Sequence, residues 1–256
     1  MENKKRSYII GNWKMNPSGK KEALRIFDGI KKRSQRRNAE IVICPPYLYL
    51  SDFSSKRLPK NLSLGAQSCF WEEGGSYTGE ISPVQLADMK VKYVIVGHSE
   101  RREMGESDEE ISKKIKSSLR SGINPVICIG EKERDKDGEY LRLLESQLTF
   151  AFSEVTPALL ERVIVAYEPV WAIGKSEEEA ITGHQLYEIV VFTKRFLSKR
   201  YGKKEGFSVP VLYGGSVSPR NAEEFLREGH AEGLLIGRQS LDPKSFSEII
   251  DIAESI

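Results

Sequence analysis

Eight short apolar segments alternate with longer amphipathic segments, and this alternation constrains the fold more than any other feature. The apolar segments predict strands at residues 8–11, 40–44, 62–66, 93–96, 125–129, 163–166, 209–213 and 234–236. Several are almost uniformly apolar, as expected of strands that are covered on both faces. Helical patterns follow most of them, at 20–32, 108–119, 139–152, 185–199, 222–228 and 244–253. The connections after the second and third strands are less clearly helical.

Strands that alternate with helices predict a parallel sheet, either closed as a (β/α)8 barrel or open and doubly wound. The chemically suggestive residues favour the barrel, because they follow the carboxyl ends of strands one, four, six, seven and eight. An open sheet would spread these ends apart, whereas a barrel brings all of them to one mouth. We therefore predict an α/β fold, a single (β/α)8 barrel. A barrel of 256 residues can be one domain, so we assign residues 1–256 to it.

Composition excludes several classes of function. The 39 Lys and Arg residues nearly balance the 37 Asp and Glu residues, so nothing indicates nucleic acid or an anionic membrane as a partner. The basic start precedes a short apolar run, too short for a signal peptide, and no segment of about 18 apolar residues occurs. We therefore expect a cytoplasmic protein. The three Cys residues are odd in number and widely spaced, which argues against disulfides and zinc, and the three His residues show no metal-ligand spacing.

The segment AYEPVWAIG, residues 166–174, joins a carboxylate to an apolar loop. Pro169 fixes the first step of the loop, and Trp171 makes it stiff and apolar, so the segment has the composition of a lid that excludes water. Glu168 beside such a lid is a candidate general base. The alternative interpretation is a buried strand end in which Glu168 forms a structural ion pair and Trp171 only packs.

Three further motifs are candidates for the same site, and each has a structural alternative. His98 in VGHSERR precedes a possible short helix whose dipole would favour a neutral imidazole, although a lone histidine after a buried strand is commonly structural. Lys14 in GNWKMN directly follows a strand and Asn12, although most lysines are solvated. The run YGGSV, residues 213–217, suits a phosphate cradle of backbone N–H groups, or else a simple tight turn.

Two nucleotide-binding motifs are excluded. Gly174, Lys175 and Ser176 look like the end of a P-loop, but the position that requires the first glycine is Pro169. No G-x-G-x-x-G follows a strand, which argues against a dinucleotide. We expect no cofactor and no metal.

Taken together, these motifs resemble the triosephosphate isomerase family, itself a well-known example of carboxylate and neutral-imidazole catalysis on the TIM barrel. The resemblance runs from about Tyr8 to the C-terminus. The motifs are GNWKMN (11–16), SYTGEISP (76–83), VGHSERR (96–102), CIGE (128–131), AYEPVWAIG (166–174) and YGGSV (213–217). It implies interconversion of dihydroxyacetone phosphate and D-glyceraldehyde 3-phosphate through an enediolate, in glycolysis and gluconeogenesis.

The resemblance also implies roles for individual residues. Glu168 would move the proton between carbons, neutral His98 would polarise the carbonyl, and Lys14 and Asn12 would stabilise negative charge and orient the substrate. Glu100 would pair with Lys14. Backbone N–H groups would hold the phosphate, at Gly174, Ser216, Gly237 and Arg238.

Family members are usually homodimers, and this implies that the loop at 68–83 carries Thr78 towards Asn12 of a second subunit. Phe70, Trp71 and Tyr77 are the aromatic residues that would anchor it, although a loop packed on its own subunit is the alternative.

Two segments depart from the family pattern. Residues 175–180 (KSEEEA) replace the usual end of the lid, and Arg238 replaces the second of two glycines after strand eight. If the position of Arg238 requires a positive φ, the backbone is strained there. Two functions of other classes compete with the isomerase. One is a Schiff-base aldolase that uses Lys14, and the other is a noncatalytic phosphate-binding protein.

Overall fold

The computed structural model describes residues 7–35, 37–135, 137–172 and 181–256. In this part of the chain, parallel strands pair in sequence order, and β8 pairs with β1 to close a barrel. The strands are β1 (Tyr8–Asn12), β2 (Glu40–Cys44), β3 (Leu62–Ala66), β4 (Val91–Val96), β5 (Asn124–Ile129), β6 (Ile164–Tyr167), β7 (Val211–Tyr213) and β8 (Gly233–Ile236). The predicted α/β barrel is confirmed.

Helices connect the strands and cover the outside of the barrel. They are α1 (Lys20–Arg33), α2 (Tyr47–Ser54), α3 (Pro83–Asp88), α4 (Ser99–Glu103), α5 (Asp108–Arg120), α6 (Glu139–Ala151), α7 (Gly183–Tyr201), α8 (Lys203–Ser208), α9 (Ala222–Arg227) and α10 (Pro243–Ser255). The connections after β2 and β3, where the sequence pattern is weak, hold the short helices α2 and α3. Apolar periodicity is weak in such short helices because they offer only one or two turns.

Alternate residues of each strand face two different cores, which explains why the strands are almost uniformly apolar. Ile10 and Val42 belong to a core inside the barrel, whereas Ile9 and Ile41 belong to the larger core between the barrel and the helices. Both faces are therefore withdrawn from water, and parallel strands of this kind carry apolar residues at nearly every position. The barrel is a packed core rather than a pore.

The strand bounds place the candidate residues close to the carboxyl ends. The strand predicted at 163–166 runs instead from Ile164 to Tyr167, because Val163 ends a preceding 3-10 helix. Glu168 is therefore the first residue after β6. The strand predicted to begin at 209 begins at Val211.

The three cysteines are all buried and unpaired. In the described ranges, no helix combines the length and the apolar character needed to cross a membrane. Nor do the same ranges bring together three or more His, Cys, Asp or Glu side chains in a way that could hold a metal ion.

Candidate active site

Glu168 is fixed by the strands on both sides of β6. Its backbone N–H donates to the Ile129 carbonyl at 2.8 Å, and the Gly214 N–H donates to the Tyr167 carbonyl, also at 2.8 Å. Glycines provide the space for this arrangement. A Cβ atom on Gly130 would lie 1.8 Å from the Glu168 carbonyl oxygen, and one on Gly214 would lie 3.0 Å from Glu168 Cγ. The backbone position of Glu168 thus depends on the absence of side chains at both neighbours.

The Glu168 carboxylate contacts the end of β4. Oε1 lies 3.2 Å from His98 Nε2, and Oε2 accepts a hydrogen bond of 2.9 Å from the Ser99 backbone N–H. Only 2% of Glu168 is exposed, so these donors replace the water that a carboxylate ordinarily binds. The carboxylate is therefore held beside the imidazole at the wall of the cavity.

His98 is the N-cap of α4, and its hydrogen bonds define its tautomer. Nδ1 accepts the Glu100 backbone N–H at 3.2 Å, so Nδ1 carries no proton. The proton of the neutral ring then sits on Nε2, which faces both Glu168 and the cavity. The short helix predicted after His98 is present. Because a backbone N–H of its first turn donates to Nδ1, the helix favours the tautomer of His98 that donates through Nε2.

Lys14 adopts a left-handed backbone conformation at φ 52°, which is costly for a residue with a side chain. Two side chains hold it there. Asn12 Oδ1 accepts the Lys14 N–H at 3.0 Å, and Gln67 Nε2 donates to the Lys14 carbonyl at 2.8 Å. The ammonium group of Lys14 forms an ion pair of 2.6 Å with Glu100 Oε1. The buried Asn12 thus positions the turn that directs Lys14 towards the mouth of the barrel.

Residues after β7 and β8 form the part of the mouth between Glu168 and Lys14. Ser216 Oγ donates to the Ala172 carbonyl at 3.2 Å, and Asn221 Nδ2 donates to the Ser216 carbonyl at 2.9 Å. After β8, Gly237 precedes a 3-10 helix over Arg238–Leu241. Arg238 is not among the described residues with positive φ, so its N–H is available without the backbone strain considered above.

The mouth of the barrel contains a cavity of about 490 Å³, a size typical of small-molecule sites. Seven of the eight predicted site residues line this cavity. They are Asn12, Lys14, His98, Glu168, Ser216, Gly237 and Arg238. Gly174, the remaining residue, lies outside the described residues, as do the altered lid positions 175–180. The barrel therefore brings together residues that are more than 200 positions apart.

A buried polar contact between the residues after β5 and those at the end of β6 was not predicted from the sequence. Glu131, which is 1% exposed, accepts hydrogen bonds at one oxygen from the Tyr167 hydroxyl at 2.7 Å and from Trp171 Nε1 at 2.9 Å. Burial, together with the Glu131 charge, raises the pKa of Tyr167 well above its usual range, so the hydroxyl remains a donor. The contact ties the start of the lid segment to the end of β5. The available signal was the carboxylate of CIGE directly after a buried strand.

Replacing Tyr167 with phenylalanine is expected to lower the free energy of unfolding by about 1–3 kcal/mol, because a buried carboxylate loses a donor. Urea denaturation measures the change. Tyr187→Phe is the matched control, since Tyr187 is 43% exposed and should change stability by less than about 0.5 kcal/mol. Equal midpoints for the two variants would show that Glu131 does not depend on this hydrogen bond.

Cys128 borders the Glu168 carboxylate from inside the barrel. Burial raises the pKa of its thiol well above the usual range, and the nearby Glu168 charge raises it further. The thiol therefore stays protonated near neutral pH, and Glu168 is the group in this pair that can accept a proton.

Comparison with known proteins agrees with this geometry. The sequence profile of the family described as Triosephosphate isomerase matches residues 7–253. The chain belongs to the triosephosphate isomerase family. It is 41% identical to the triosephosphate isomerase of Natranaerobius thermophilus over 97% of this chain and 96% of that protein. It is 40% identical to the Aquifex aeolicus protein of the same name, over 96% of this chain and 98% of that one.

A solved structure of the family gives the same result in three dimensions. The triosephosphate isomerase of Bartonella henselae superposes with a TM-score of 0.86 at 37% identity, covering 96% of this chain and 98% of that one. The reaction of the triosephosphate isomerase family is therefore the activity of this chain. It interconverts dihydroxyacetone phosphate and D-glyceraldehyde 3-phosphate.

Proposed function

We propose that Glu168 is the base of this isomerisation. It removes a proton from the carbon next to the substrate carbonyl, and the resulting enediolate receives a proton at the neighbouring carbon. The observation that carries the proposal is the contact of 3.2 Å between the buried Glu168 carboxylate and His98 Nε2 at the wall of the cavity. A carboxylate beside a neutral hydrogen-bond donor is the pair that proton abstraction next to a carbonyl requires.

His98 and Lys14 stabilise the charge that develops on the substrate oxygens. The Nε2 proton of His98 donates to the carbonyl oxygen and moves between the two oxygens, and the Lys14 ammonium faces the negative charge of the enediolate. Asn12 orients the substrate and holds Lys14 in its left-handed turn. Glu100 positions Lys14 through the ion pair of 2.6 Å.

The phosphate group binds at the residues that follow β7 and β8. Backbone N–H groups of Ser216, Gly237 and Arg238 are proposed to hold it, together with that of Gly174. The glycines after β7 and β8 allow the backbone to approach an anion closely. A phosphate at this end leaves the carbonyl end of the triose beside Glu168 and His98.

The test of this function is conversion of D-glyceraldehyde 3-phosphate to dihydroxyacetone phosphate by the purified chain. Rapid conversion supports the isomerase. A protein that binds inorganic phosphate without converting the triose would favour the noncatalytic alternative. Borohydride reduction in the presence of substrate would favour the Schiff-base aldolase if it abolished activity and left the substrate covalently attached to Lys14.

We also propose that the active form is a homodimer in the cytoplasm, where the reaction serves glycolysis and gluconeogenesis. Exposed apolar side chains follow the ends of the four consecutive strands β1 to β4, so they lie on one side of the mouth. They are Met15, Leu48, Tyr77, Val84 and Met104, and Met15 is 93% exposed. An apolar rim of this kind indicates an interface with a second copy.

The loop after β3 supports the same interface. Phe70 stacks on Trp71 with ring centroids 4.0 Å apart and makes a tilted contact with Tyr77 at 4.7 Å, so the base of the loop packs on itself. Residues 72–80 are exposed, and Thr78 lies at this tip. The stacked base thus stiffens a projecting tip, which we propose enters the partner and brings Thr78 towards its active site.

Met15→Arg is expected to convert the dimer to monomers, because a charge would be buried at the interface. Light scattering at micromolar concentration measures the mass. Val191→Arg on α7 is the control, since Val191 is an exposed apolar residue on a different side of the barrel and should leave the dimer intact. A parent that is already monomeric, or a dimeric Met15→Arg variant, would contradict the proposed interface.

A further inference from the structure

Three charged side chains line the described part of the cavity, and two of them are already engaged. Lys14 is paired with Glu100, and Glu168 is held by the Ser99 N–H and His98. The third is Arg238. Its side chain is exposed. None of the described residues accepts a hydrogen bond from its guanidinium or forms an ion pair with it.

The charge of the cavity makes this guanidinium important for an anionic ligand. Among the described side chains, the charges of Lys14 and Glu100 cancel, so Glu168 leaves a net negative charge before Arg238 is counted. A phosphate monoester carries close to two negative charges at neutral pH, so an additional positive charge at this site favours its binding. Arg238 brings this balance to neutral, and among the charged side chains that line the described part of the cavity it is the one without a partner.

The backbone before Arg238 is fixed, which restricts where the side chain can begin. Ser240 donates to the Gly237 carbonyl with both its backbone N–H, at 2.9 Å, and its hydroxyl, at 2.7 Å. A Cβ atom on Gly237 would lie 3.6 Å from Lys14 Cε, so the Lys14 side chain passes beside the start of this turn. Arg238 therefore directly follows the residue that lies beside the Lys14 side chain.

We propose that the Arg238 guanidinium recognises the phosphate dianion of the substrate at the mouth of the cavity. This inference rests on the proposed function and deepens it, because it adds a side chain to the backbone groups that hold the phosphate. Arg238 is a specificity residue, and it favours dianionic ligands over ligands with less charge. Its planar guanidinium can donate two hydrogen bonds to one phosphate.

The experiment compares Arg238→Gln and Arg238→Lys with the parent. Arg142→Gln is the matched control, since Arg142 is largely exposed on α6 and pairs with Glu139. Calorimetry measures the Kd of inorganic phosphate, and initial rates give KM for D-glyceraldehyde 3-phosphate and the dependence of kcat/KM on ionic strength. We expect Arg238→Gln to raise both Kd and KM by about fivefold, as loss of one exposed charge contact predicts.

Salt provides a second readout, because the attraction of an exposed charge is screened. The decline of kcat/KM with added salt should be shallower in Arg238→Gln than in the parent and the control. Arg238→Lys keeps the charge but not the planar pair of donors, so its Kd and KM should lie between those of the parent and those of Arg238→Gln. Parent-like Kd, KM and salt dependence in Arg238→Gln would overturn the proposal. A parent that does not convert triose phosphate would contradict the proposed function alone, because the Kd comparison tests Arg238 without turnover.

Discussion

Replacing Glu168 with glutamine is expected to lower kcat by about 10³-fold, because the amide cannot accept the substrate proton. The substitution keeps the volume of the side chain, so the buried position should remain filled. It also introduces a mismatch. The Ser99 N–H donates to one carboxylate oxygen, and His98 Nε2 lies 3.2 Å from the other, whereas an amide can accept with only one of its two terminal atoms. A steady-state assay with D-glyceraldehyde 3-phosphate measures the loss.

Two further variants make this prediction specific. Glu168→Asp keeps a carboxylate but moves it by about 1 Å, and we expect kcat to fall by about 10²-fold. Glu161→Gln is the control, since Glu161 is an exposed residue before the opposite end of β6 and should leave kcat unchanged. Near-parent turnover in either Glu168 variant would show that another group removes the proton.

Replacing Gly130 with alanine is expected to lower kcat by about 10²-fold, although Gly130 does not contact the substrate. The added Cβ atom would lie 1.8 Å from the Glu168 carbonyl oxygen. Neither side can yield easily. Gln147 holds Gly130 by bonds of 2.9 and 3.0 Å to its N–H and carbonyl, and the Glu168 N–H is bonded to Ile129. We expect Glu168 to shift by about 1 Å, which misplaces the base.

The same overpacking should lower the free energy of unfolding by about 1–3 kcal/mol. Steady-state kinetics and urea denaturation measure the two effects together. Gly19→Ala is the matched control, because no heavy atom lies within 4 Å of an added Cβ there, and its φ of −127° suits any residue. If Gly130→Ala had the kcat and midpoint of Gly19→Ala, the close packing of β5 against Glu168 would not position the base.

The barrel and its mouth could be predicted because they depend on signals local in sequence. Almost uniformly apolar strands such as β2 indicate the parallel sheet. The chemically suggestive residues after β1, β4, β6, β7 and β8 indicate the position of the site. The exact ends of β6 and β7 could not be predicted. Val163 and Val209 are as apolar as strand residues, and only pairing with the neighbouring strands determines where each strand begins.

The contacts that orient the candidate site could not be predicted, because they join residues far apart in sequence. Nothing near Glu168 in the chain indicates that the Ser99 N–H holds its carboxylate. The left-handed conformation of Lys14 depends on Gln67 as well as on Asn12. Gly130 has no unusual φ, and its importance is evident only from the approach of Glu168.

The central claim is that this chain moves a proton, through Glu168, between two carbons of a triose phosphate. Proton NMR of D-glyceraldehyde 3-phosphate conversion in deuterium oxide tests it most directly. We predict rapid formation of dihydroxyacetone phosphate, with deuterium at C1 in part of the product, and loss of this signal in Glu168→Gln. Absence of conversion, or product that forms rapidly with no deuterium at C1 as a hydride shift would give, would contradict the claim.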